Sequence, residues 1–325
     1  MRLQVLIPQY HETETIIAPL LQSIAIQQGV DVEHDIGVII CNDGSDTRLC
    51  STFLKGFPYP IEYISQPHKG VSAARNACLD AATADYVMFC DADDMFLNVC
   101  GLYILFREME NGGFNALSSV FIEETRNPQT GERVYINRTN DSTFVHGKVY
   151  RRSFLIHNNI RFNDSLTIHE DSYFNCLAQR MAGEIKYCQT PFYLWRWRDD
   201  SVCRHDEKYI LKTYTNMLDS NTALVNEFIA RGRQQDAQYY ATSMIYDAYY
   251  MMNKDEWLNQ ENQSYRATTE KRFKEYYTTF KEQFDSIPQE VKQQIIVGMR
   301  NRFFGEGMFM ESMTFNDWIK HITTL

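Results

Sequence analysis

The chain has 325 residues, 44% of them hydrophobic and 23% charged, and carries a net charge of −10. That balance is globular and excludes wholesale disorder, and the length predicts one full domain plus a smaller unit. An acidic chain is a poor general binder of nucleic acid, so that partner is disfavoured unless a local basic groove exists.

Residues 3–8 form a short apolar strand that begins at once, without the charged and apolar stretches of a signal peptide. Residues 13–28 carry Ile16, Leu20 and Ile24 at helical spacing, with Gly29 as a stop. A second apolar strand spans 36–41 and runs into the turn Asn42-Asp43-Gly44-Ser45-Asp46. Residues 61–65 make a third strand, 71–82 an alanine-rich helix and 85–90 a fourth strand, which ends in Asp91-Ala92-Asp93-Asp94. This alternation predicts βαβ units and a parallel sheet, with ligands bound beyond the carboxyl ends of the strands.

Further on, 115–123 and 131–137 read as strands around a turn, and 153–158 and 170–181 as helices. From about residue 206 the chain is helical and aromatic. Ile210, Tyr214, Met217, Leu224 and Phe228 share one face, as do Phe273, Tyr276, Tyr277, Phe280 and Phe284. Helix starts are expected near Ser286 and at Thr314. No apolar run is long enough to span a bilayer, so the expectation is a cytoplasmic protein with at most peripheral membrane contact. The eight cysteines contain no Cys-x-x-Cys pair, which favours free thiols in a reducing compartment over a zinc site.

Five stretches carry candidate chemistry. Three carboxylates at the end of a buried strand, Asp91, Asp93 and Asp94, repel one another, and a divalent cation such as Mg²⁺ or Mn²⁺ relieves that cost. Asp43 can accept hydrogen bonds from a base or ribose, although the residues around it are also ordinary turn formers. Arg75, one turn into a helix of small residues, can meet phosphate or hold the acidic loop. Glu170 and Asp171 open a helix, where the dipole favours the anion; either is a candidate general base or a simple cap. In Trp195-Arg196-Trp197-Arg198, strand alternation puts Arg196 and Arg198 on one face, as for a phosphate clamp, or as the solvated face of an ordinary strand.

Together these strings resemble the family 2 glycosyltransferases, inverting enzymes of the GT-A fold. The matching stretches are Val5-Leu6-Ile7-Pro8-Gln9-Tyr10 with Glu12, Asn42 to Asp46, Gly70 to Asn76, Asp91 to Asp94, and Glu170-Asp171. Gly147 to Leu155 and Tyr193 to Ser201 are similar to members that build surface polysaccharides or decorate wall polymers. The resemblance implies an α/β, Rossmann-like catalytic domain over residues 1–205, its mostly parallel sheet flanked by helices. The remainder, 206–325, is a helical region for acceptor, packing or oligomerisation.

The resemblance also implies roles. Pro8, Tyr10, Glu12, Asp43, Arg75 and Asp91 would hold the nucleotide, most often uridine diphosphate. Asp93 and Asp91 would hold Mn²⁺ or Mg²⁺, with Asp93 the first choice. Asp171 would be the base, with Glu170 second. Arg196, Arg198 and Ser201 would face the diphosphate and acceptor. Asn42 departs from the aspartate usual in the family, which implies an altered nucleotide preference. The donor would be a nucleotide sugar and the acceptor a saccharide or glycoconjugate. The alternatives are a wall polymer, a protein, a hydroxylated base in phage DNA, or an inactive binding module on the same fold. A dehydrogenase is disfavoured, since the turn after the first strand has no glycine.

Overall fold

In a computed structural model the described residues are 1–127, 129–199, 208–305 and 313–324. The chain divides into two compact units, Met1–Ser201 and Val202–Leu325.

The first unit runs β1 (Leu3–Gln9), α1 (Glu14–Ala25), α2 (Val32–Asp35), β2 (Ile36–Asp43), α3 (Ser51–Leu54), β3 (Ile61–Gln66), α4 (Val71–Ala81), β4 (Tyr86–Phe89), β5 (Met95–Phe96), α5 (Gly101–Glu110), β6 (Ala116–Arg126), β7 (Arg133–Arg138), β8 (Lys148–Arg151), α6 (Arg152–His157), α7 (Glu170–Ala182) and β9 (Ile185–Trp195). The strands form one nine-stranded sheet in the order β3-β2-β1-β4-β8-β6-β9-β5, with β7 added to β6. β1 lies between β2 and β4 and is parallel to both, and β3 is parallel to β2. β8 is antiparallel to β4 and β6, so the sheet is mixed beyond the expected parallel half.

Leu3, Val5, Ile7, Val38, Ile40 and Met88 are fully or almost fully buried, because helices cover both faces of these strands. That is why the strands read as continuous apolar runs. In α4 the small residues Ser72, Ala73 and Ala74 are buried. They let the helix lie against β1 and β2, which brings Arg75 under the strand ends.

Two expectations change. β9 ends at Trp195, so Arg196 to Arg198 are not strand and the alternation argument does not apply to them. The strand stops because Asp94 Oδ1 takes the Arg196 N–H and Glu124 Oε2 the Trp197 N–H, two side chains replacing the ladder. In the second unit the buried stripe of α8 (Tyr209–Ala230) runs through Leu211, Tyr214, Leu218, Leu224 and Phe228, while Ile210 is 44% exposed. One residue of rotation moved the stripe.

The second unit continues with α9 (Gln234–Met252), α10 (Asp255–Leu258), α11 (Gln263–Ser286), α12 (Gln289–Gly305) and α13 (Phe315–Thr324). Phe273, Tyr276, Tyr277, Phe280 and Phe284 of α11 are all buried, as the spacing predicts. Thr314 caps α13: its hydroxyl accepts from the Asp317 N–H (3.2 Å). Among the described residues no helix is long and apolar enough to cross a membrane. The cysteines among them are free thiols, and Cys203 lies outside the described residues.

Candidate active site

The carboxyl ends of β1, β2 and β4 bring together residues far apart in sequence. At the end of β2, Asp43 is almost fully buried. Its Oδ1 accepts from Gln66 Nε2 (2.7 Å) and the Lys69 N–H (3.0 Å). Its Oδ2 accepts from the Gly70 N–H (2.8 Å) and lies 2.9 Å from His68 Nδ1. Asp43 therefore fixes the loop that enters α4. Gly44 has φ +76, and a Cβ there would collide with the His68 backbone nitrogen, so only glycine allows the two loops to close this tightly. Tyr10, 43% exposed, stacks on His68 with ring centroids 4.3 Å apart. The result is an exposed aromatic platform beside Asp43, with Pro8 below it in register with Cys41. Asn42 is buried in the turn: its amide donates to the Ser45 carbonyl and Tyr63 hydroxyl, and its Oδ1 accepts the Ser45 N–H. An aspartate could not make the two donations.

Next along the edge, Glu12 Oε2 accepts the Tyr10 N–H (2.6 Å). Burial raises the Glu12 carboxyl above its ordinary value, and the charge of Asp93 adds to this while Arg198 opposes it. Arg198 Nη1 lies 3.2 Å from Asp93 Oδ2, and Arg196 Nη1 donates to the Asp93 carbonyl (3.2 Å). Both arginines thus meet the acidic loop without the strand that was expected to align them. Ser201 lies outside the described residues.

Arg75 sits at the centre of the acidic cluster. Its side chain is 5% exposed and bridges two elements: Nη2 to Asp91 Oδ1 (2.9 Å) and Nη1 to Glu170 Oε1 (2.8 Å). Burial works against the charge, but Asp91, Glu170 and Asp171 hold the guanidinium above its usual pKa. Of the two uses foreseen for Arg75, this is the holding of the acidic loop. Burial likewise pushes Asp91 up, yet Arg75 more than offsets it and leaves Asp91 below the ordinary carboxylate value.

Asp171 is raised to about 7 by burial and by neighbouring Glu170, with Arg75 opposing and Asp91 adding. The helix dipole, expected to favour the anion, is outweighed. Its Oδ1 accepts the adjacent Ser172 N–H (2.8 Å). His169, just before this pair, holds a left-handed backbone at φ +63, as does His11 beside Tyr10 at φ +70. Such conformations cost on the order of 1 kcal/mol each and gather at functional sites.

His146 went unnoticed in the sequence, and the full burial of Asp94 was not foreseen. Asp94 is fully buried, accepting from the Tyr193 hydroxyl (2.5 Å) and the Arg196 N–H (2.9 Å). Burial, then Asp93 and Asp91, push its carboxyl well up. His146 lies 3.6 Å from Asp94 Oδ2 and is driven down to about 4 by burial, so it is neutral near pH 7. Ligand atoms of Asp91, Asp94 and His146 lie within 4.8 Å of one another, which makes them a candidate cation site. Both Asp94 oxygens already accept hydrogen bonds, however. The carboxylates open to a ligand are Asp91 and Asp93, each 31% exposed at the side chain. Hard oxygen donors with excess negative charge fit a divalent cation: burial, then Asp91, raises the Asp93 carboxyl.

Cavities of about 440, 490 and 240 Å³ lie at the other end of the strands, around Arg2 and Arg151, and contain none of these acidic residues.

Residues 4–184, more than half of the chain, match the family profile "Glycosyl transferase family 2". The chain belongs to that family. This glycosyltransferase is 26% identical over 242 residues to EpsH of Bacillus subtilis, the match covering 67% of each chain. Several other curated relatives are matched over less than two thirds of their length. The fold is GT-A. The crystal structure of Staphylococcus aureus TarS 1–349 in complex with UDP aligns with TM-score 0.61 at 15% identity, covering 96% of this chain and 93% of that one. The mannosyltransferase PcManGT of Pyrobaculum calidifontis, solved with GDP-Man and Mn²⁺, aligns with TM-score 0.51 at 14% identity over 69% of this chain and 64% of its own.

Proposed function

We propose that this protein is an inverting, metal-dependent glycosyltransferase that moves a sugar from a nucleotide sugar, by preference a UDP-sugar, to a saccharide hydroxyl. One observation carries the reading. The Tyr10–His68 platform beside Asp43, the open carboxylates Asp91 and Asp93, and the high-pKa Asp171 follow one another along a single sheet edge, joined by Glu12, Arg198 and Arg75. The TarS complex supports the choice of UDP, and that of PcManGT the choice of a divalent ion.

In this reading the aromatic platform and the Asp43 turn receive the base and ribose. Asp91 and Asp93 would hold Mn²⁺ or Mg²⁺, which would supply Lewis-acid neutralisation of the diphosphate charge. Arg196 and Arg198 add positive charge on the same side. Asp171 takes the proton from the acceptor hydroxyl as the new bond to the anomeric carbon forms and the bond to the diphosphate breaks. Attack from the opposite face inverts the configuration. A proton acceptor tuned to near neutrality favours an enzyme over a binding module. Catalysis by residues 1–205, with acceptor or assembly duties for 206–325, is part of the proposal.

The test is a screen of sugar nucleotides for hydrolysis and transfer with Mn²⁺ or Mg²⁺ present. Turnover of one donor, lost with chelator, is the expected result; silence on all donors with both ions overturns the reading. Asp93→Ala is expected to lower turnover on the order of a hundredfold while leaving thermal stability within about 1 kcal/mol, because it is a rim residue. Added Mn²⁺ should not restore the variant, and kinetics at rising metal concentration check this.

A further inference from the structure

Lys148, the first residue of β8, is 1% exposed at its side chain, yet nothing in the transfer chemistry uses it. Its ammonium donates to the Phe144 carbonyl (2.5 Å) and lies 3.3 Å from Asp141 Oδ1. The same Asp141 oxygen accepts the Thr143 and Phe144 N–H groups (2.9 and 2.8 Å). One partly buried ion pair thus sets the shape of the turn 141–144.

That turn touches two parts of the site. Toward α7, Asn175 Nδ2 donates to the Thr143 carbonyl (2.7 Å) and takes the Tyr150 hydroxyl on its oxygen (2.7 Å), while the Cys176 thiol faces the Ser142 carbonyl (3.8 Å). α7 begins with Glu170 and Asp171, so these bonds lie one to two turns behind the base. On the other side, the Phe144 ring packs on Trp195 (4.9 Å), as does His146 (4.9 Å), immediately before Arg196 and Arg198. Stability does not account for the pair. A buried ion pair is often no better than apolar residues of the same volume, whereas breaking one partner is costly.

We propose that Lys148 and Asp141 are positioning residues for the transfer step: their ion pair holds the turn that seats the base-bearing helix on one side and the arginine segment on the other. The proposal rests on the glycosyltransferase reading above. Lys148 is shut off from solvent at its side chain and Asp141 is turned toward it, so the pair acts on the geometry of attack and not on nucleotide affinity. Misplacement of a base by about 1 Å costs up to a hundredfold in rate.

The experiment compares Lys148→Met, Asp141→Asn and the double variant Lys148→Met/Asp141→Asn with the wild type. Thermal unfolding, UDP affinity by calorimetry with Mn²⁺, and kcat and KM for the donor that the wild type turns over are measured on the full chain. Each single variant leaves one charge of the pair without its counter-charge and should unfold earlier; the double variant should recover much of the loss. In the double variant UDP affinity and donor KM should stay within twofold, while kcat falls by roughly tenfold to a hundredfold. A merely structural pair would give a stable double variant with full kcat, or a kcat loss matched by lost UDP affinity, and either result overturns the proposal. A wild type silent on every donor retires the transferase reading instead, and this inference with it.

Discussion

Asp171→Asn is expected to lower kcat/KM by about a thousandfold, within the range a general base contributes, and at the same time to stabilise the protein at pH 8. Both effects have one source. Partial burial and the adjacent Glu170 lift Asp171 to about 7, and Arg75 only partly opposes them. A carboxylate so placed is roughly half ionised near pH 7 and holds a proton well. Glu170 Oε1 is engaged by Arg75 at 2.8 Å.

The stability sign follows from linkage. The folded pKa lies above the unfolded value of about 3.9, so the native state binds more protons and stability falls as pH rises between the two. The destabilisation is complete above about pH 7 and absent below about pH 4. Asparagine does not titrate and escapes it. With solvent screening discounted, the variant should gain roughly 2 kcal/mol at pH 8 and almost nothing at pH 4. Unfolding curves at the two pH values, and wild-type kcat/KM falling as pH drops through 7, check the assignment. Wild-type turnover by the variant would move the base elsewhere.

The parts legible in the sequence are those where local pattern and burial agree. β1, β2 and β4 are covered on both faces, so continuous apolar runs mark them, and the acidic and turn residues that follow sit at ligand-binding strand ends by topology. What could not be read depends on partners far along the chain. β5 has two residues and β8 four, too short for periodicity to show. Nothing local marks Lys148 as a buried cation, which depends on Asp141 and the Phe144 carbonyl around it. Asp94 looks equivalent to Asp91 and Asp93 in the string Asp-Ala-Asp-Asp, yet the Tyr193 hydroxyl and Arg196 N–H take it inward and leave the others at the opening.

The Asp171 environment misled for a different reason. Helix position alone predicts a stabilised anion, worth about 0.3–1 kcal/mol. Burial beside Glu170 is worth more and reverses the direction. The near-neutral pKa that makes Asp171 a credible base arises first from burial and then from adjacent Glu170, with Arg75 of α4 opposing, and the burial is not encoded by any local rule.

Arg75→Met is expected to be the most damaging single change, because the cation it removes serves two carboxylates at once. Glu170 would remain largely buried without its cation and Asp91, 31% exposed at its side chain, would lose its own; breaking a buried pair costs about 3–5 kcal/mol. Salt should rescue little of this, since a side chain 5% exposed is poorly screened. The cleft would also lose the charge that opposes the rise of Asp171, so the acid limb of any residual activity should move above pH 7. Arg75→Lys should be intermediate in stability: it keeps the charge but offers no planar fork to reach both Asp91 and Glu170. Adding Glu170→Gln to Arg75→Met removes one stranded charge and should return part of the stability, but not the activity, because Asp91 stays unpaired beside Asp93. Chemical denaturation of the four proteins with donor turnover on each separates the two losses. An Arg75→Met variant within 1 kcal/mol of wild type would mean that Asp91 and Glu170 are solvated after all, and that the acidic edge is held together by something other than this guanidinium.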